Sequence, residues 1–153
     1  MICFDTMVVI WAVQETPVPE ELEFRKRTVA YLQSLSEKKE DILIPTPVVH
    51  EFLVGIPPDK HSDYMAAMEQ EFVVGVFDLP AARLAAEIEY GADKPTRRDD
   101  RVRLRVDAQI LAIAIVQGAS VVITHDQGMA SLASGRIRVM ELPSVQRQEE
   151  MKY

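Results

Sequence analysis

Five short apolar runs, separated by longer stretches of helical periodicity, constrain this chain more than any other feature. Parallel neighbours in a sheet need long crossovers, and crossover helices pack over the strands, so such alternation predicts an α/β fold with helices on both faces of a parallel sheet. The runs are Ile2–Phe4, Asp41–Pro45, Val73–Leu79, Ser120–Thr124 and Arg136–Leu142. Helices are predicted between them, over Met7–Val13, Glu20–Ser36, Thr46 to about Gly55, His61–Glu71, Pro80–Tyr90, Val102–Gln117 and Gln127–Ala133. In the second of these, Leu22, Val29, Leu32 and Leu35 fall mostly on one face. Punctuation marks the boundaries: Pro17 and Pro19, Pro57-Pro58, Gly91 and Gly118 each stop a periodic segment. Thr46-Pro47 reads as a hydroxyl cap followed by proline in the first turn. Lys94–Asp100 reads as a loop.

At 153 residues the chain is one domain's length and can bury a continuous core. Its 48% hydrophobic and 27% charged residues are those of a globular protein, not a disordered one. No apolar stretch approaches the roughly 18 residues that span a bilayer, and Asp5 interrupts the first apolar segment where a leader would need continuity. A cytoplasmic location is the expectation. Cys3 has no partner for an intrachain disulfide and is expected to be a small buried hydrophobe. Charge is unevenly spread. The net charge is −7, but Lys94–Arg105 holds six basic residues against Asp99 and Asp100, so it carries +4 and the remainder −11. A local basic strip of that kind can bind phosphates on an otherwise acidic protein.

The acids that matter sit where a core would not place them. Asp5 directly follows the first apolar run and Asp126 follows the fourth; in parallel sheets, ligands bind beyond the carboxyl ends of strands. Asp107 precedes Ala108 and the apolar stretch Ile110–Val116, and Glu51 is flanked by Val48, Val49, Phe52, Leu53 and Val54. Singly, each has an ordinary reading: Asp5 a cap, Asp126 a turn, Asp107 a partner for Arg103 or Arg105. Together they form a set of carboxylates with no equal number of bases in the same segments. Clustered carboxylates resist simultaneous ionisation, and a hard divalent cation with oxygen ligands removes the conflict.

Four segments carry a resemblance to a known family: Phe4-Asp5-Thr6, Pro45–Phe52, Val106–Ala112 and Val121–Asp126. In their order and spacing they resemble the PIN-domain nucleases, and within these the small VapC-type toxins of bacterial toxin–antitoxin pairs. The likeness covers residues 2 to about 142. It implies a three-layer α/β/α sandwich with a central parallel five-stranded sheet, a single domain over residues 1–145 and a polar tail over 146–153. It implies a Mg²⁺- or Mn²⁺-dependent endoribonuclease, with one or two ions. Asp5, Glu51, Asp107 and Asp126 match the family's acidic quartet, as metal ligands and catalytic groups, and Thr6 and Thr124 match hydroxyl residues that support it. Met7 departs from the pattern, standing where the family usually has a small polar residue.

Arg97, Arg98, Arg101, Arg103 and Arg105 are the candidates for contacting an RNA substrate, through phosphates and with little sequence information. By the same resemblance the partners are a second copy, as a homodimer, and an antitoxin protein. His50 and His125 flank two of the acids, but no second histidine stands at zinc-protease spacing after Glu51, so both are expected to be structural. Trp11 and Tyr90 are expected in the core or at a dimer surface. No dinucleotide or phosphate-loop glycine pattern occurs. The competing reading is a catalytically silent PIN-like scaffold that binds RNA or a protein partner, since fold alone does not confer activity.

Overall fold

A computed structural model describes residues 1–13 and 18–144. Five strands form one sheet: β1 (Ile2–Phe4), β2 (Ile42–Pro45), β3 (Val73–Gly75), β4 (Val121–Ile123) and β5 (Arg138–Met140). Their order is β3-β2-β1-β4-β5, and every pairing is parallel. Cys3 lies in the middle, opposite Leu43 on one side and Val122 on the other. Successive side chains of a strand point to opposite faces, yet every residue of β1, β2 and β4 is buried, so both faces of the sheet are covered. The edge strands β3 and β5 are more exposed.

Seven α-helices fill the crossovers among the described residues: α1 (Thr6–Val13), α2 (Leu22–Glu37), α3 (Thr46–Val54), α4 (His61–Glu71), α5 (Leu79–Gly91), α6 (Arg98–Val116) and α7 (Gln127–Ala133). Single 3₁₀ turns at Pro19–Glu21 and Pro58–Lys60 lead into α2 and α4. The long helix α6 touches β2, β4, α3, α5 and α7, and its segment Ala108–Ala114 is buried except at Gln109. Its close fit depends on Gly75: a Cβ there would lie 2.6 Å from Ile113 Cγ2 and 2.9 Å from Leu43 Cδ1. Gly118, at φ +76°, closes the helix in the left-handed region that glycine enters at least cost. Cys3 is fully buried, and burial pushes its thiol well above the usual range, as the sequence led one to expect. No helix among the described residues is long and apolar enough to cross a membrane.

Several boundaries differ from the sequence reading, each for a local reason. The third run is a strand only to Gly75; Asp78 then caps α5, accepting a 3.0 Å bond from Ala81 N–H. The last run narrows to Arg138–Met140, and the fourth to Val121–Ile123. Thr46 is not a cap but the first residue of α3, with extended Pro45 before it and no side-chain cap bond. On α2 the inward face is Phe24, Thr28, Tyr31 and Leu35, while Leu22 and Val29 are exposed. The hydroxyl of Thr28 is satisfied within the helix by the carbonyl of Phe24, which lets a polar residue serve as core. The largest change is at α6, which begins at Arg98, so Arg98–Asp100, the last three residues of the segment read as a loop, are helical. The tail 146–153 and Pro17 lie outside the described residues.

Candidate active site at the carboxyl edge of the sheet

The parallel register delivers the carboxyl ends of β1, β2 and β4 to one edge. Asp5 leaves β1 there, and its backbone N–H donates to Ile123 of β4 at 3.1 Å. Thr124 leaves β4 beside it. Glu51 arrives on the second turn of α3, which springs directly from β2. Asp107 comes from α6, at the point where that helix passes from exposed to buried. Asp126 is the cap of α7, its Oδ1 accepting from Gly128 N–H at 2.8 Å.

Two threonines tie these acids together. Thr124 Oγ1 donates to Asp5 Oδ2 at 2.6 Å and accepts from Asp126 N–H at 2.9 Å, so one hydroxyl links two of the four acidic residues. Thr6 donates its N–H to Asp5 Oδ1 at 2.7 Å and its hydroxyl to Glu51 Oε2. Asp126 Oδ2 faces Arg103, receiving Nη2 at 2.6 Å and Nε at 3.1 Å. No hydrogen bond to the carboxylate of Asp107 is present among the described residues.

The electrostatics follow from that difference. Burial raises the Asp5 carboxyl above the usual range, and Glu51 and Asp126 push the same way. Its bonds from Thr124 and Thr6 oppose them. Asp107 lacks such donors. Burial, then the charges of Asp126 and Asp5, raise it to about 7, with Arg103 opposing and Glu51 adding a little. The four carboxylates thus stand within one another's electrostatic reach although no three are grouped tightly enough to hold a metal ion as they stand, among the described residues. Asp126 is turned to Arg103 and Glu51 to Thr6. In chemical type the set fits a hard divalent ion: it offers carboxylate and hydroxyl oxygens, without sulfur or ring nitrogen.

The arginines read as one strip are divided. Arg103 stands one turn before Asp107 and turns to Asp126, whereas Arg105 reaches toward Glu89 of α5 at 3.9 Å. Arg101 lies with Arg105 beside an open cleft of about 420 Å³ lined also by Tyr90 and Lys94. Arg97 precedes α6 and Arg98 begins it, both exposed. Sequence reasoning grouped Arg103 with the others; a base one helical turn ahead of a half-buried acid was the signal that it belongs to the site. His125 packs edge-on to Trp11 and Phe24 at 5.3 and 5.2 Å, and burial lowers its basicity. His50 is exposed on α3. Trp11 is core, stacked on Phe24 at 4.6 Å, but Tyr90 is 86% exposed and not core.

The same architecture occurs in solved structures. FitAcB from Neisseria gonorrhoeae is similar with a TM-score of 0.59 and 23% identity, over 92% of this chain and 97% of that one. VapBC2 from Rickettsia felis bound to a DNA fragment from their promoter gives 0.64 and 14%, over 94% and 100%. DNA-bound VapBC from Salmonella typhimurium gives 0.58 and 16%, over 93% and 98%. At such identities the likeness is one of fold. A comparison with curated protein sequences gives no match. The family model of the PIN domain matches residues 2–135, which takes in all four acids and both threonines. The chain therefore belongs to the PIN-domain family, whose members are generally nucleases.

Proposed function

We propose that the chain is a divalent-metal-dependent endoribonuclease that hydrolyses RNA phosphodiester bonds, as the toxin of a toxin–antitoxin pair. One observation carries the reading: four carboxylates line the carboxyl edge of the sheet within one another's electrostatic reach, where burial first, and then the charges of Asp126 and Asp5, hold Asp107 toward its protonated form. Such repulsion opposes folding and persists where a cation is to relieve it.

In this reading Asp5 and Asp107 would hold Mg²⁺ or Mn²⁺ directly, one ion or two, with Glu51 and Asp126 holding water around it. When bound, the cation offsets negative charge on the phosphate and makes water a stronger nucleophile. The residues of the chain do the rest. Thr124 fixes the rotamer of Asp5, and Thr6 sets the distance between Asp5 and Glu51. Glu51, exposed at the rim, or Asp126 would take the proton of the attacking water. Arg97, Arg98, Arg101 and Arg105 lie along or before α6 and would draw the RNA backbone toward the edge by charge.

The partners are proposed on the same footing. The fold is shared with VapBC and FitAcB structures, which supports an antitoxin as partner; a homodimer is the proposed assembly. The cytoplasm is the proposed location. A silent scaffold is the second reading, favoured by the engagement of Asp126 with Arg103 instead of with its fellow acids. Incubation of mixed RNA with Mn²⁺ or EDTA, beside the Asp5→Asn variant, separates the two. Cleavage that needs Mn²⁺ and disappears in the variant is expected; Mn²⁺-independent or variant-insensitive cleavage, or none, overturns the nuclease reading.

A further inference from the structure

We propose that Arg103 is a built-in counter-ion that occupies Asp126 until a divalent cation displaces it, and that the freed guanidinium then meets the substrate phosphate. The inference rests on the metal-dependent reading above and adds a role for a residue to which that reading assigns none.

The geometry is asymmetric in a useful way. Asp126 divides its oxygens: Oδ1 stays with Gly128 N–H of the α7 cap, and Oδ2 alone takes both Nη2 and Nε of Arg103. Release of the arginine would free one oxygen without disturbing the cap. The Arg103 side chain is 69% exposed and that of Asp126 17%, so the cation can leave into solvent while the acid stays in place. Arg103 also precedes Asp107 by one turn on the same face of α6, and its charge acts on Asp107 and Asp5 as well as on Asp126. It therefore stands where an incoming cation and an incoming phosphate would each change its surroundings: the first repels it, the second attracts it.

An exposed ion pair of no consequence is the plain alternative, since such pairs contribute little to stability. The two differ in sign. A counter-ion hinders metal binding and helps RNA binding, so its removal should move the two affinities in opposite directions; loss of a merely structural contact would weaken both. The control is Arg105→Met, which removes the same charge from the far side of α6, where it faces Glu89.

The experiment is Mn²⁺ titration calorimetry on the full chain at fixed pH and ionic strength, with single-stranded RNA binding followed by anisotropy in Ca²⁺. Arg103→Met is expected to tighten Mn²⁺ about 5-fold, Arg105→Met to change it less than about 2-fold. The Arg103→Met effect should vanish in an Asp126→Asn background, because the pair then has no charge to guard. RNA affinity of Arg103→Met should fall by about 5-fold at low salt. Equal effects of the two arginine variants on Mn²⁺ affinity, or an Arg103→Met effect on it that survives Asp126→Asn, overturn the counter-ion while leaving the nuclease reading standing. Absence of Mn²⁺ binding by every folded variant, checked by circular dichroism, overturns both.

Discussion

The two halves of α6 differ in nearly every physical respect. From Ala108 to Ala114 the helix is buried on all sides except at Gln109, fitted against β2 and β4 and under the missing side chain of Gly75. From Arg98 to Asp107 it carries four arginines and three aspartates, and most of those side chains are exposed. The buried half fixes the helix; the charged half is free to hold groups that oppose one another. Asp107 sits at the junction, where rigidity from below meets uncompensated charge from above.

The first way to break that division is through the anchor. Ile113→Ala should lower the urea midpoint by an amount worth about 3 kcal/mol, as a cavity opens beneath Gly75. Mn²⁺ affinity of the folded fraction should stay within about 2-fold of the parent. A large change in both would mean that the halves are not separable. On the other side of the junction, Asp5→Asn should reduce Mn²⁺-dependent RNA cleavage more than about 100-fold, or roughly 2.7 kcal/mol in the barrier, with the thermal midpoint in EDTA not lowered.

Asp107→Asn tests the junction itself. A folded carboxyl raised from 3.8 to about 7 holds its proton more tightly than the unfolded chain does, so stability falls as pH rises through that interval and stays low above it. The amide removes the fall. In EDTA at pH 8 the variant should be more stable by roughly 1–2 kcal/mol, and the gain should fade toward pH 4, in urea titrations at several pH values. A variant less stable than the parent at pH 8 would show that Asp107 is not under repulsion. The smallest effect is expected from Thr124→Val, which removes the 2.6 Å bond to Asp5 but no charge: about 10-fold weaker Mn²⁺ binding, or roughly 1.4 kcal/mol, by calorimetry.

This contrast also explains which parts were legible in the sequence. The buried half of α6 announced itself by composition, and the three central strands by compact apolar runs, because burial on both faces leaves little choice of residue. Asp5 and Asp126 were legible as candidates because they follow strands whose direction the crossovers fix, whereas Thr124 entered only through the family resemblance. The start of α6 at Arg98 was not, since a solvated first turn needs no apolar periodicity and charged residues suit helix and loop alike. Nor was the destination of Arg103. Asp107 lay nearer in sequence, but the packing of α7 against α6 brings Asp126 within reach, and that packing is a tertiary fact. Tyr90 was expected in the core or at a dimer surface on residue type alone, and its position at the end of α5 takes it out of the core.

The pairing of β1 with β4 has a consequence for how the molecule is made. Asp5 and Thr124 are 119 positions apart, yet they meet across neighbouring strands. Domains form from their N-terminal side as synthesis proceeds. A nascent chain would display Asp5 early, but could not complete the set of acids until Asp126, 121 positions later, had emerged. In the proposed nuclease reading, that delay keeps the site incomplete until late in synthesis.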